Sequence, residues 1–277
     1  MSAINNRYDF VFLFDVKDGN PNGDPDQANL PRSDAENQEG LVTDVCIKRK
    51  VRNYVALKHE LISPNDIFIR QGNILNNLID SANGEKPVDR QQSLSAGFFD
   101  IRTFGAVLST GDKGAGTVRG PVQFTFSRSE DRIFQAEHSI TRCAVTTQKE
   151  ATAQEKRESA STFGRKTTVP YALYRMHGFV SAVDARKTGF SEIDLELLWE
   201  SLLNAFEHDR SAARGEMNPR KLIVFKHGSH LGNARSGELF ERVIIEKIVD
   251  LPRNWEDYKV KIEENNLPKG IELIQKL

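Results

Sequence analysis

Tyr8-Asp-Phe-Val-Phe-Leu-Phe-Asp-Val16 is the stretch on which the fold turns. Phe10, Phe12 and Phe14 recur at period two and share one face of an extended strand, while Val11 and Leu13 share the other. Apolar residues on both faces predict a strand covered on both sides, an inner strand. Downstream, Gly19-Asn-Pro-Asn-Gly-Asp-Pro-Asp26 is dense in turn residues and breaks regular structure. Thr43 or Asp44 then caps a helix running to about Leu57. Ile47, Val51, Tyr54 and Val55 form its apolar stripe, which leaves Lys48, Arg49 and Arg52 on the flanks. Val122-Gln-Phe-Thr-Phe-Ser127 reads as a second strand and the long run Tyr171–Val183 as a third. Helical spacing returns from Asp194 to Phe206 through Leu197, Leu198, Trp199 and Leu202, and Leu222–Phe225 is a further strand.

The resulting order, βαββαβ, is the ferredoxin-like arrangement of RNA-recognition-motif (RRM) folds, so the expected class is α+β. Residues 60–100 predict a short strand at Ile67–Ile69, a helix from Ile74 to Ser81 and a turn at Asn83-Gly84, an insertion into that minimal module. A second insertion, Cys143–Val169, is polar, basic and poor in core residues, which suits an exposed hairpin or arm. With no internal repeat and no Pro/Ser-rich linker, residues 1–277 are read as a single elaborated domain.

Bulk properties narrow the function. The 277 residues are 38% hydrophobic and 28% charged, ordinary for a soluble globular chain. No stretch reaches the roughly 20 apolar residues of a membrane span, and the N-terminus lacks a signal-peptide pattern. Cys46 and Cys143 are two lone cysteines, read as buried thiols in a reducing compartment rather than a disulfide or metal pair. The expected location is the cytoplasm. Net charge is −1, but residues 1–40 hold eight acids against three bases, whereas Arg142–Arg175 holds seven bases against three acids. With the cluster Lys48-Arg49-Lys50-Val51-Arg52, that asymmetry fits local basic stripes able to track a phosphate backbone; the plainer reading is solvated surface charge.

Motifs for catalysis fail one by one. Asp18-x-Asn20-x-Asn22-Gly23 begins like an EF-hand loop, yet Asn29 stands where the bidentate Glu belongs and two prolines interrupt it. Gly111–Gly116 has Walker A spacing, but Thr117 and Val118 occupy the Lys and Ser/Thr positions. Arg119 likewise displaces the third glycine of a dinucleotide fingerprint. What survives is a loop backbone that can approach a phosphate, followed by Arg119. His227-x-x-His230 has no third ligand nearby, and His208 and Arg210 suit a helix C-terminus. Arg175-Met-His-Gly-Phe-Val-Ser-Ala182 faintly echoes an RNA-binding strand, with Arg175, His177 and Phe179 on one face. No cofactor and no metal site is expected.

Taken together, Gly19-Asn-Pro-Asn-Gly-Asp-Pro25, Gly40-Leu-Val-Thr-Asp-Val-Cys-Ile-Lys-Arg-Lys50, Phe98-Phe-Asp-Ile-Arg-Thr-Phe-Gly105, Val118-Arg-Gly-Pro121, His138-Ser-Ile-Thr-Arg142 and Glu207-His-Asp-Arg-Ser-Ala-Ala-Arg-Gly-Glu-Met217 resemble signatures of one family. It is the Cas7 backbone-subunit family of type I CRISPR Cascade complexes, with subtype I-C the nearest match. The resemblance runs from Tyr8 to Phe240. It implies a right-hand shape: an RRM-like palm, a helical or finger insertion (60–100) and a protruding hairpin thumb (143–169). It implies copies polymerising head to tail along the spacer of a CRISPR RNA. Each thumb folds over the RNA held by its neighbour, and the bases stay open to pair with a target DNA strand. Other Cascade subunits would close the filament ends, and a nuclease-helicase would be recruited by the whole complex. Carried over by motif, Lys48, Arg49 and Arg52 hold phosphates, Arg32 leads into their helix, and Arg119 and Arg142 lie near the same groove. The resemblance implies Phe163, Arg165 and Lys166 as the thumb's candidate RNA contacts, and Arg175 is added from the RNA-strand echo. A carrier of any spacer needs phosphate and sugar contacts rather than base readout, which suits dispersed Arg and Lys and an aromatic content of 8%. The rival reading is a metal-dependent endoribonuclease using Asp15, Asp18, Asp24 or Asp26.

Overall fold

The computed structural model describes residues 2–142, 144–155 and 162–277, the side chains of 153–155, 162 and 163 excepted. Along the chain, strand β1 (Tyr8–Gly19) leads into the two-residue strands β2 (Gly23–Asp24) and β3 (Leu30–Pro31), then β4 (Glu39–Val42) and helix α1 (Asp44–His59). Helices α2 (Leu75–Asp80), α3 (Pro87–Gly97) and α4 (Phe99–Phe104) precede the hairpin β5 (Gly105–Leu108) and β6 (Gly116–Arg119). Next come β7 (Val122–Phe124), β8 (Ser127–Arg132), β9 (Ala136–Arg142), α5 (Gln148–Glu155) and β10 (Thr162–Val180). Helices α6 (Ala182–Thr188) and α7 (Glu192–Leu203), β11 (Glu216–His227) and α8 (Ser236–Glu241) follow, and β12 (Val243–Lys247), β13 (Tyr258–Ile262) and β14 (Ile271–Gln275) finish the chain.

The main sheet runs β14-β11-β1-β10-β8-β4, with β7 and β9 also paired to β10. All of its pairings are antiparallel, and β1 is the inner strand its pattern predicts: Phe12 lies opposite Met176 on one side and Leu222 on the other. Its Phe face packs into the larger apolar cluster with Ile47, Val51 and Val55 of α1 and Leu195, Leu198, Trp199 and Leu202 of α7. Its Val11/Leu13 face packs with Leu239, Phe240, Val243 and Tyr258, so the C-terminal segment covers the back of the sheet. A third cluster, Phe68, Ile79, Leu94, Ile101, Leu108 and Ala115, lies wholly within residues 68–115. Gly178, shared with the RNA-strand echo, has a packing reason: a Cβ there would stand 2.0 Å from the Phe10 ring.

Four local expectations need correction. Ile67–Ile69 is not a strand; the buried Asp100 carboxylate accepts from Phe68 N (2.8 Å) and Ile69 N (3.0 Å), satisfying donors that a partner strand would have bonded. Val122–Ser127 is two strands, broken where Thr125 Oγ1 accepts from His177 N (3.1 Å) in place of a backbone carbonyl. Helix α7 stops at Leu203, and beyond it Phe206 turns back so that its ring stacks on Phe12 and tilts against Phe14. The arm begins at Ala136, before its expected start, because β9 pairs with the outer half of β10 from Thr168 to Thr162. Among the described residues no helix is long and apolar enough to cross a membrane.

Candidate nucleic-acid interface

Helix α1 forms because Thr43 caps it, its Oγ1 accepting from Cys46 N at 3.3 Å, and because its apolar stripe lies on the β1 phenylalanines. Three sequence motifs meet at its N-terminal end. Asn22 of the 19–25 motif accepts through Oδ1 from both the amide and the hydroxyl of Thr43, each at 2.9 Å. Asn20 N donates to Ala213 O at 2.8 Å, which ties the same loop to the 207–217 motif. That contact is close: a Cβ on Gly19 would lie 1.8 Å from Arg214 O, and Gly215 has φ +64 against the Asp18 carbonyl. Only glycine permits both the approach and the backbone angle. Lys50, whose side chain is 2% exposed, pairs with Asp209, and Arg214 Nε joins the same carboxylate at 2.7 Å.

Two further motifs flank the helix. Arg52 donates to the buried Asp100 at 2.8 Å and lies over the Phe104 ring, 5.1 Å from its centroid. Lys48 pairs with Asp44 at 2.9 Å and lies over the Phe104 and Phe124 rings. Residues 98–105 and 118–121 are joined by the β5–β6 hairpin, with Gly105 opposite Arg119. In that hairpin the Gly-rich turn is exposed but tied to its neighbours, and one of its amides is already engaged. Asp80 accepts from Lys113 N (2.8 Å), Arg90 donates to Gly114 O (3.0 Å) and Gln91 to Ala115 O (2.5 Å). A carboxylate at the turn also opposes an approaching anion.

The predicted cations therefore divide. Arg49 is exposed on α1. Arg119 is 80% exposed, 3.4 Å from Asp184; Arg165 is 81% exposed beside Glu137; Arg142 is paired with Glu150 at 3.2 Å. Lys166 is half-buried on the hairpin and Arg32 half-buried, 3.5 Å from Asp24. Lys48 and Arg52 keep only a small exposed fraction and are held by carboxylates and rings. Arg175 is set apart from these: it lies on the covered back face, its guanidinium donating to the carbonyls of Phe240 and Val243 and to His177 Nε2. Burial lowers its pKa, and His177, stacked on Phe240, is pushed down to about 4 by desolvation and by Arg175. Phe163 is placed by backbone pairing with Thr141, but its side chain, like Cys143, lies outside the described residues.

The acidic loop does not converge. Asp15 is buried and accepts from Arg220 (2.8 Å) and from the Tyr171 hydroxyl (3.0 Å). Asp24 caps the short turn at Asp26 and faces Arg32, while Asp18 and Asp26 are exposed. Among the described residues no three His, Cys, Asp or Glu side chains gather as a metal site would require. His227 is buried between Asp9 (3.1 Å) and Asn233 N (2.8 Å), a clamp between β1, β11 and the following loop.

The sequence profile of a family described as CRISPR-associated protein Cas7 matches residues 6–263, which is most of the chain. The chain belongs to the Cas7 family. A curated relative, the CRISPR-associated protein Cas7 of Haloferax volcanii, is 26% identical over 265 residues, covering 84% of this chain and 74% of its own. A chain of a solved CRISPR RNA-guided surveillance complex, in a pre-nicking state, is similar in fold, with TM-score 0.51, 13% identity and 79% and 78% of the two chains covered. A chain of another CRISPR RNA-guided surveillance complex is similar at TM-score 0.44 and 13% identity, covering 79% of this chain and 68% of that one.

For a Cas7 chain, the informative residues that sequence reasoning missed are Asp209, Arg210 and Arg214. They lie inside a quoted motif, but the only signal for their role was the recurrence of charge in Glu207-His-Asp-Arg-Ser-Ala-Ala-Arg214. Arg210 is 62% exposed, with Glu207 at 3.0 Å. Lys50 lies in the quoted basic cluster and proves to be interior. Five of the six Cas7 motifs thus gather around α1, while the sixth, 138–142, lies on the β9 arm; Arg49, Arg119, Arg142 and Arg210 are the exposed arginines among them.

Proposed function

We propose that this chain is the guide-carrying backbone subunit of a CRISPR surveillance complex of type I, subtype I-C, and that it is not itself an enzyme. Copies line up head to tail along the spacer of a CRISPR RNA, each holding phosphate and sugar and leaving the bases to pair with a target DNA strand. The observation that carries this is the gathering of five of the six family motifs around α1, with exposed Arg49, Arg119 and Arg210 on separate elements of one framework. Cations on a rigid scaffold suit backbone contact without base readout. The strand order supports an RRM-like palm: β11, β1, β10 and β7/β8 run fourth, first, third, second in the sheet, with α1 and α7 in the two crossovers. The separate cluster within 68–115 supports a helical insertion, and the β9–β10 hairpin with exposed Arg165 supports the thumb. Its basic surface and the acidic N-terminal portion supply complementary faces for successive copies. Other Cascade subunits at the filament ends and a recruited nuclease-helicase complete the assembly, which works in the cytoplasm. The non-enzymatic half rests on Asp15 and Asp24 being engaged by Arg220, Tyr171 and Arg32.

Binding of two single-stranded RNAs of unrelated sequence across a salt series tests the reading. Equal affinities, and equal negative slopes of log K against log salt, are expected. A strong preference for one sequence or a flat salt response contradicts it, and magnesium-dependent cutting lost in Asp18→Ala or Asp26→Ala contradicts the non-enzymatic half.

A further inference from the structure

Lys50 is the most deeply buried cation of the basic cluster, its side chain 2% exposed. Its ammonium lies 5.4 Å from the Phe206 ring centroid and is paired with Asp209, and burial lowers its pKa against the pull of that carboxylate. Asp209 also binds Arg214, while its own amide donates to Phe206 O at 3.3 Å. The 204–215 loop is therefore pinned three times: to α1 through Asp209, to the 19–25 loop through Ala213 O, and to the end of β1 where Gly19 and Gly215 meet it. The residue before Lys50 is Arg49 and the residue after Asp209 is Arg210, and both are exposed. The pin thus joins the two backbone segments that carry two surface cations.

We propose that the Lys50–Asp209–Arg214 cluster is a positioning device for RNA binding: it contacts no phosphate and sets the placing of Arg49 relative to Arg210. The inference rests on the RNA-binding reading above. It opposes the simplest electrostatic expectation, since removing a carboxylate beside a phosphate path strengthens binding by Coulomb's law alone.

The test measures binding of labelled oligouridine to the purified full chain across a salt series. Asp209→Asn is expected to weaken binding about tenfold with the salt slope unchanged. Lys50→Met keeps the Phe206 packing and leaves Asp209 paired with Arg214; it is expected to give a similar loss, again at unchanged slope, and it stands in if Asp209→Asn does not fold. Asp209→Glu restores part of the affinity. Arg49→Ala and Arg210→Ala each reduce the slope by about 0.7. Binding by Asp209→Asn as tight as wild type or tighter overturns the pin, as does a slope reduction in Lys50→Met equal to that of Arg49→Ala. If the wild-type chain shows no salt-dependent RNA binding, the functional reading and the pin fall together. If Arg49→Ala lowers the slope while Lys50→Met and Asp209→Asn bind as wild type does, the reading stands and only the pin fails.

Discussion

The α1 junction and the β9–β10 arm are both basic in sequence and opposite in structure. At the junction, Lys48, Lys50 and Arg52 are each held by a carboxylate and an aromatic ring, and they organise the fold before they meet any ligand. On the arm, Arg165 is almost fully exposed and its pairing with Glu137 is a surface contact of the kind that contributes ~0–1 kcal/mol. A run of Lys and Arg is therefore not by itself a binding surface; burial decides which of its charges remain for a partner. Strand β10 passes through both regimes, buried from Tyr171 to Tyr174 and half-buried to exposed from Gly164 to Thr167.

The comparison breaks most visibly at Asp100. Asp100→Ala strips Arg52 of its counter-charge and leaves the amides of Phe68 and Ile69 without an acceptor. A loss of about 3–5 kcal/mol in urea unfolding is expected; a loss below ~1 kcal/mol shows that the junction charges are not structural. The next effect sharpens the inner half of β10. The folded pKa of His177, about 4, lies below its ordinary value of 6.5, so the folded state disfavours the proton. Stability is then fully present above pH 6.5 and is lost as pH falls toward 4, by roughly 1–3 kcal/mol for a half-buried group. His177→Asn flattens that part of the pH–stability curve, and an unaltered curve contradicts the assignment. Smaller in stability but larger in binding is Arg49→Ala, expected to stay within about 0.5 kcal/mol of wild type in unfolding while reducing the RNA salt slope by about 0.7. Smallest is Arg165→Ala, whose unfolding free energy should move by less than ~0.5 kcal/mol. A large change there would place the arm in the core regime.

Legibility in the sequence followed the same division. β1, the Thr43 cap and the α1 stripe were readable because period-two and period-3.6 burial are local signals, and the structure has both. The β9 strand was not readable: it is exposed along most of its length, so no apolar alternation marks it, and only its partner in β10 defines it. The C-terminal hairpin was equally silent, since Val243 and Tyr258 are interior only because they close over the back of the sheet. Among the candidate contacts, Lys48, Arg49 and Arg52 were placed on α1 by periodicity, but the carboxylates that claim two of them come from Asp44 and from Asp100, 48 residues beyond Arg52. The setting of Arg175 was hidden for a related reason. An exposed platform face in a minimal module is here covered by residues from Leu239 onward, which the strand pattern alone does not reveal.

The most direct measurement of the central claim is the nucleic acid that accompanies the chain when it is expressed with a CRISPR array and purified under native conditions. The account predicts RNA of one discrete length containing spacer sequence, with several copies of the chain on each molecule. Purification free of RNA, or with RNA of random length and sequence, would contradict it.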